Sequence, residues 1–443
     1  MSIAVLGFLM VIVLTVVVMT RRVTAVAALI LVPIAFALLA GAGTRTPAMM
    51  LEGIKQVAPT GILLVFAILY FGLMIDAGLF KPLVGAIVRW VGSDPRRATI
   101  GQAAIASTVG LDGDGTTTTL VGASSILPVY RRLQMDIMVY AVIGSLSFII
   151  MNMTPWGGPV AKIAATLRID PNTLFLPMLP VLATGLLSVF ALAWWLGGRE
   201  YRRLADGGPT ACGSYVTATD ASQAPLGEVF VIDENALRPK LLLVNFGLTA
   251  VVMACVVLHL APLPVTFMVG FSLALVINYP GLPDQRKRIM AHAGNALSVA
   301  LLVLAAGAFT GIMSGTGMTA GMAKAVILSL PDASGPYLAL ITALISIPMN
   351  FFLSSDAFYF GVLPVIAEAG AAYGISAEEI GRASLLGQPV HGLSPLVPAV
   401  YLKCAILGIE LADFQRFAIR YSLGLCLILI TAALLFGAIP LFH

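Results

Sequence analysis

The 443-residue chain reads as an all-α polytopic membrane protein made of two inverted-topology repeats. Three observations predict this. Hydrophobic residues are 59% of the chain and charged residues 10%, against about 25% charged in a soluble domain. Apolar runs of about 20 residues, the length that crosses a hydrocarbon core of about 30 Å, recur along the chain. Short features of the first half also return, in the same order, in the second.

The clearest spans are 2–20, 23–41, 57–79, 172–197, 240–260, 262–279, 292–318 and 413–440. The opening "MSIAVLGFLMVIVLTVVVMTRR" carries its arginines after the apolar run. A cleaved signal peptide has the reverse order, so this stretch is read as a retained first span. Segments 136–168 and 378–409 are interrupted by Pro and Gly clusters and are read as broken helices. Segments 97–130 and 336–366 are apolar with polar tips and are read as re-entrant helical hairpins. The 15 residues from Arg97 to Leu111 make about 22 Å of helix, too short to cross. The polar stretch 199–239 is Gly/Ser/Thr/Asp-rich and is read as a cytoplasmic linker between a first repeat, 1–198, and a second, 240–443.

Basic residues set the orientation. Arg21-Arg22, Lys81, Arg89, Arg96-Arg97, Arg131-Arg132, Arg199 to Arg203 and "QRKR" at 285–288 fall on one side. The positive-inside rule makes that side cytoplasmic and both termini external. The net charge of +4 follows from such loops and points to no nucleic-acid partner. Cys255, Cys404 and Cys426 lie in apolar runs and Cys212 in a polar loop, which is no disulfide framework.

The repeat shows in spacing. "LPV" at Leu127-Pro128-Val129 recurs at Leu363-Pro364-Val365, an offset of 236, and Pro159 and Pro395 share that offset. "FGLMIDAG" from Phe71 resembles "TGIMSGTG" from Thr310 at an offset of 239. Each half is expected to hold five full crossings, one of them broken, and one hairpin. The second half then starts from the opposite side, as in the inverted repeats that frame a midplane site in secondary transporters.

The tip "GLDGDGTTTTLVG" (110–122) places Asp112 and Asp114 in an apolar surround. Intramembrane charge is expensive unless it is solvated or paired. Gly113 and Gly115 suit the turn, and Thr116 to Thr119 open the returning helix, whose N–H groups suit an anion. A carboxylate pair beside an anion cradle fits an anion that carries a cation, because hard cations take oxygen ligands. The plain alternative is that the aspartates cap the turn. Ser354, Ser355 and Asp356 mark the second tip, where Asp356 is either functional or an N-cap. His391 either carries a proton or only hydrogen-bonds the broken helix. Lys162 attracts a carboxylate, pairs with Asp76 or snorkels outward. His259, His292 and His443 lie near span ends without metal-ligand spacing.

Together "LDGDGTTTTLV", "MNMTPWGGP", "SSDAFYFG" and "QPVHGLSPLVPA" resemble the citrate–divalent metal/proton symporter family of the ion-transporter superfamily. The resemblance implies uptake of a citrate–metal complex coupled to protons. It also implies a homodimer in the cell inner membrane, working as an elevator with scaffold and transport domains. Carried over by motif, Gly113, Gly115, Thr116, Thr117 and Thr118 of the first tip bind substrate. So do Asn152, Thr154, Gly157 and Gly158, Ser354 and Ser355, and Gln388, Gly392 and Ser394. Asp112 and Asp114 are expected to contact metal, and Asp356 and His391 to carry protons. No permanently bound cofactor is implied; a metal of the Mg or Ca type is part of the substrate. The sodium–dicarboxylate branch has Ser-Asn-Thr at both tips, and the tips here differ, which argues against sodium. An enzyme is disfavoured, since an aspartyl protease needs its two aspartates on separate helices. A pump is disfavoured by the lack of a Walker A sequence.

Overall fold

Helices follow the apolar runs, because a backbone in hydrocarbon has to satisfy its own N–H and C=O groups. The computed structural model describes residues 2–20, 22–206, 234–258, 260–329 and 332–442, and among them all regular structure is helical, with no strand. Most of the expected linker (207–233), together with Arg21, Cys212, His259 and His443, lies outside the described residues.

In the first half, α1 (Ile3–Met19) and α2 (Ala25–Leu39) are capped by the hydroxyls of Ser2 and Thr24. The 31-residue α3 (Thr46–Asp76) is followed by the short α4 (Lys81–Val91). The first hairpin comprises α5 (Pro95–Val109), a turn of 3-10 helix at Gly110–Asp112, α6 (Gly115–Ser125) and α7 (Leu127–Arg132). Next, α8 (Ile137–Met151) and α9 (Gly158–Leu167) flank a break, and α10 (Pro171–Ala205) ends the half.

The second half begins with α11 (Leu242–Val257), α12 (Leu263–Asn278), the 34-residue α13 (Leu282–Gly315) and the short α14 (Met318–Ser329). The second hairpin is α15 (Leu338–Phe352), a π-helical turn at Ala357–Val362 and α16 (Leu363–Ala371). Then α17 (Ala377–Leu385), the single turn α18 (Gln388–His391) and α19 (Pro398–Leu407) surround a second break before α20 (Leu411–Leu435).

Two details depart from the sequence reading. Helix α10 runs through Ala205, past the expected boundary at residue 198. Glu200 holds this end in place: it pairs with Arg203 at 2.8 Å and accepts the Asp136 amide at 2.8 Å. Helices α4 and α14 were not among the expected spans, because 11 and 12 residues are too short to give a spanning run.

Among the described residues six helical segments are long and apolar enough to cross a membrane, including Ser334–Phe352, an arm of the second hairpin. This arm packs beside α16. A Cβ on Gly335 would collide with the Tyr373 ring, so the feet of α15 and α16 stand side by side. The first hairpin is closed the same way, with Arg132 donating to the Gly92 carbonyl at 2.6 Å.

The core is divided. One cluster joins the first hairpin and α8 to α10 and α20, through Val109, Ile143, Leu146 and Leu429. Another joins α3 and α12 around Tyr70, Phe71 and Phe267. A third packs α9 against the second hairpin and α17, through Phe358, Tyr359, Leu363 and Ile380. The fourth packs α1 and α2 on α13, through Met10, Leu14 and Phe309.

Helices α3 and α13 approach most closely where Gly53 faces Gly307 and Gly311; a Cβ on Gly53 would lie 2.8 Å from the Gly311 Cα. Small residues at such a crossing let two membrane helices meet backbone to backbone. Gly53→Val should therefore cost about 1–3 kcal/mol through overpacking. Thermal unfolding in detergent checks this against Gly247→Ala, whose added Cβ meets nothing within 4 Å.

Candidate functional site

The two hairpin tips and the two helix breaks meet in the middle of the bundle. At the first tip Gly113 turns the chain with φ +77°, in the left-handed region. Asp112 is 8% exposed, and its Oδ1 accepts the Asp114 amide at 2.8 Å. Asp114 caps α6: its carboxylate accepts the amides of Thr116 (2.9 Å) and Thr117 (3.2 Å) and the Thr117 hydroxyl (2.6 Å). The start of α6 was expected to cradle an external anion. The protein's own carboxylate occupies it instead, because a residue one step before the helix reaches those N–H groups through a local turn. Thr118 and Thr119 donate to the carbonyls of Asp114 (3.0 Å) and Gly115 (2.7 Å), which leaves their hydroxyl lone pairs as acceptors.

This tip docks on the first break. Trp156 Nε1 donates to the Leu111 carbonyl at 2.7 Å, and Asn152 Oδ1 accepts the Gly158 amide at 3.3 Å. A Cβ on Gly157 would strike the Asn152 carbonyl. The Thr154 hydroxyl is buried with no hydrogen-bond partner among the described residues. Trp156 also packs on Phe71 and Phe267, with ring centroids 5.4 and 5.2 Å away, so the break rests against α3 and α12.

The second tip docks on the second break. His391 Nδ1 lies 3.0 Å from the Asn350 carbonyl, and the Ser394 hydroxyl donates to the Phe351 carbonyl at 2.8 Å. Gln388 Nε2 donates to Asn350 Oδ1 (3.1 Å) and to the Tyr359 hydroxyl (2.6 Å). Ser354 Oγ accepts the Ala357 amide at 3.1 Å, and Ser355 beside it is half-buried.

The ion pairs correct the sequence reading. Lys162 Nζ sits 2.8 Å from Asp356 Oδ1, so its partner is Asp356 and not Asp76. Asp356 makes no capping hydrogen bond. The reason is topological: α9 lies along the second hairpin, so Lys162 reaches the tip of the other half. Asp76 instead holds Arg288 at 3.1 Å and His292 at 2.9 Å. His292, read from sequence only as a span-end histidine, thus helps tie α3 to α13.

Between the breaks lies a cavity of about 200 Å³ lined by Gly115, Thr118, Asn152, Gln388, His391 and Gly392. Asp112, Asp114, Ser354, Ser355 and Asp356 are not among its walls. Gln102, Ser145 and Lys403 are, and sequence reasoning missed all three. Lys403 carried one usable signal, a lone cation inside the apolar stretch "VYLKCAIL". Among the described residues no three His, Cys, Asp or Glu side chains converge as a metal cage. Two tip carboxylates alone supply only part of a hard cation's oxygen shell, so a cation here needs ligands from its companion anion.

Helices with interrupted backbone and polar groups gathered at mid-bundle define a multi-pass membrane transporter. The chain belongs to the citrate transporter family, CitMHS, which matches residues 8–387. It is 48% identical over 436 residues to the "Citrate transporter" of Bacillus subtilis (strain 168), covering 98% of this chain and 99% of that one. It is 41% identical over 439 residues to that organism's "Mg(2+)/citrate complex secondary transporter", covering 99% of both. In fold it is similar to the Alcanivorax borkumensis YdaH transporter, with a TM-score of 0.55, 14% identity and full coverage of both chains. The family and these relatives are transporters and not enzymes, which removes the protease reading of the two aspartates.

Removing one partner of the Lys162–Asp356 pair strands a charge beside the second tip. Lys162→Met should destabilise the protein by roughly 2–4 kcal/mol, and Lys162→Met with Asp356→Leu should recover most of the loss. Thermal unfolding of the purified variants tests this, and equal loss in single and double variants would refute the pairing.

Proposed function

We propose that this protein imports citrate as a complex with a divalent metal, in symport with protons. The observation that carries the reading is the buried carboxylate of Asp112, held at a hairpin tip against a helix break in the bundle interior. Citrate carries about three negative charges at neutral pH, and a divalent metal leaves about one, which lowers the cost of passing a low-dielectric region. The 41% identical relative named for a Mg(2+)/citrate complex supports that cargo.

In this mechanism Asp112 contacts the metal directly or through water. Asp114 holds the tip that presents it, since its carboxylate already takes three hydrogen bonds from the start of α6. Asn152, whose side-chain oxygen already accepts the Gly158 amide, turns its N–H groups to a citrate carboxylate, with Thr116 and Ser354-Ser355 at the tips; Thr118 and Gln388, whose donors are used inside the protein, offer oxygens to the cargo's hydroxyl or metal. Protonation of Asp356 releases its hold on Lys162, and His391 lines the cavity as a second proton carrier.

The hairpins and broken helices form the moving domain of an elevator, sliding on a scaffold around α3 and α13. The cluster of Trp156 with Phe71 and Phe267 is the bearing between them. The order of elements supports inverted repeats: a long helix, a short helix, a hairpin, a broken helix and a closing helix occur twice. Each pair of hairpin feet meets, and Arg132, Gly92, Gln134 and Arg203 gather at one end, which supports a cytoplasmic face there and external termini. In this reading the scaffold also forms the interface of a homodimer in the cell membrane.

Radiolabelled citrate uptake into proteoliposomes, with each divalent metal in turn, tests the proposal. Uptake should require metal and a proton gradient and ignore sodium. Uptake that requires sodium and ignores metal would assign the chain to sodium-coupled carboxylate symport instead. Asp112→Asn should cut metal-dependent uptake by roughly tenfold or more, the effect of one charge-assisted contact, while the protein still inserts. Normal uptake by that variant overturns the role of Asp112.

A further inference from the structure

We propose that Lys403 is the carboxylate anchor of this site: its ammonium receives an acidic group of the cargo inside the cavity. The inference rests on the carboxylate-transport reading above and adds to it a residue and a charge.

Lys403 lies on α19 and lines the cavity. Its Nζ donates to Ser145 Oγ of α8 at 2.5 Å, and the Phe414 ring lies 5.9 Å away. Among the described residues no carboxylate comes within ion-pair distance of it. An ammonium has three donors, and one is used here. Holding such a charge in an apolar bundle without a counter-charge is costly.

Lys162 shows how the same fold treats a comparable cation. It lies on α9, which packs on the second hairpin, and Asp356 of that hairpin neutralises it. Helix α19 packs correspondingly on α6 of the first hairpin. The carboxylate at the start of α6, Asp114, is already spent on the Thr116 and Thr117 amides. The first hairpin thus leaves Lys403 without the partner that the second gives Lys162. The missing negative charge is one that a ligand brings.

The surrounding chemistry suits an anion that also carries a hydroxyl group. Thr118 and Gln388 face the same cavity with their donors already used inside the protein, so they present acceptor oxygens, as does Gln102, whose Oε1 is buried with no donor among the described residues. A ligand hydroxyl satisfies that acceptor while a carboxylate meets Lys403. The combination selects a hydroxy acid over a plain one.

The test uses full-length protein with Lys403→Met and Lys403→Arg, read by thermal unfolding and by uptake kinetics. The probes are Mg–citrate, free citrate and succinate. Without ligand, Lys403→Met should be as stable as the parent protein or more so, because an unpaired charge is removed. It should lose the ligand-induced rise in unfolding temperature that the parent protein shows. Its KM for Mg–citrate should rise roughly 10- to 100-fold, the span expected of one charge-assisted hydrogen bond, and Lys403→Arg should recover part of this. If Lys403→Met does not run as a single species, Lys403→Gln, which keeps a donor toward Ser145, carries the same comparison. An unchanged KM with an unchanged thermal shift overturns the role of Lys403 and leaves the cargo intact. A parent protein that responds to none of the three probes overturns both.

Discussion

The structure depends on one constraint: backbone interrupted in the middle of an apolar bundle has to find its hydrogen bonds there. Water is scarce at that depth, and each unsatisfied polar group costs several kcal/mol. The fold meets this by setting each hairpin tip against a helix break. Trp156 takes up the Leu111 carbonyl, and Asn152 takes up the Gly158 amide. Ser394 takes up the Phe351 carbonyl, while His391 lies against that of Asn350. The tips and breaks are therefore mutual supports, and the polar chemistry gathered at them follows from their need for partners.

Charge follows the same logic. Asp76 sits between Arg288 and His292, Lys162 is held by Asp356, and Asp114 is absorbed by the N-terminus of α6. Each of these groups is satisfied within the protein. Lys403 is not: it has a neutral hydroxyl beside it and no carboxylate within ion-pair distance among the described residues. A site that waits for a charged ligand needs such an imbalance, because a cavity already neutral has less to gain from an ion.

Rigidity is distributed unevenly. The glycine contact between α3 and α13 locks two long helices backbone to backbone. The first hairpin and α8, and the second hairpin with α9, belong to separate clusters. They touch the α3 region through side chains that include Trp156, Ala161 and Ala165.

The sequence by itself determined the helical membrane architecture and the places where helices stop. Hydrocarbon imposes a local rule, a run of apolar residues ended by Gly, Pro or polar groups, and a local rule is written in consecutive residues. The interruptions near Gly113, Gly157 and Gly392 were legible for that reason. The short helices α4 and α14 were not, because they are too brief to make an apolar run, and the end of α10 depended on the contact of Glu200 with Asp136. Only the tertiary structure decided which charges meet. Asp76 and His292 are 216 positions apart, and Lys403 and Ser145 are 258 apart. No spacing rule reaches so far. Pairing at that range is set by how the halves fold onto each other, and so is the lack, among the described residues, of a counter-charge at Lys403.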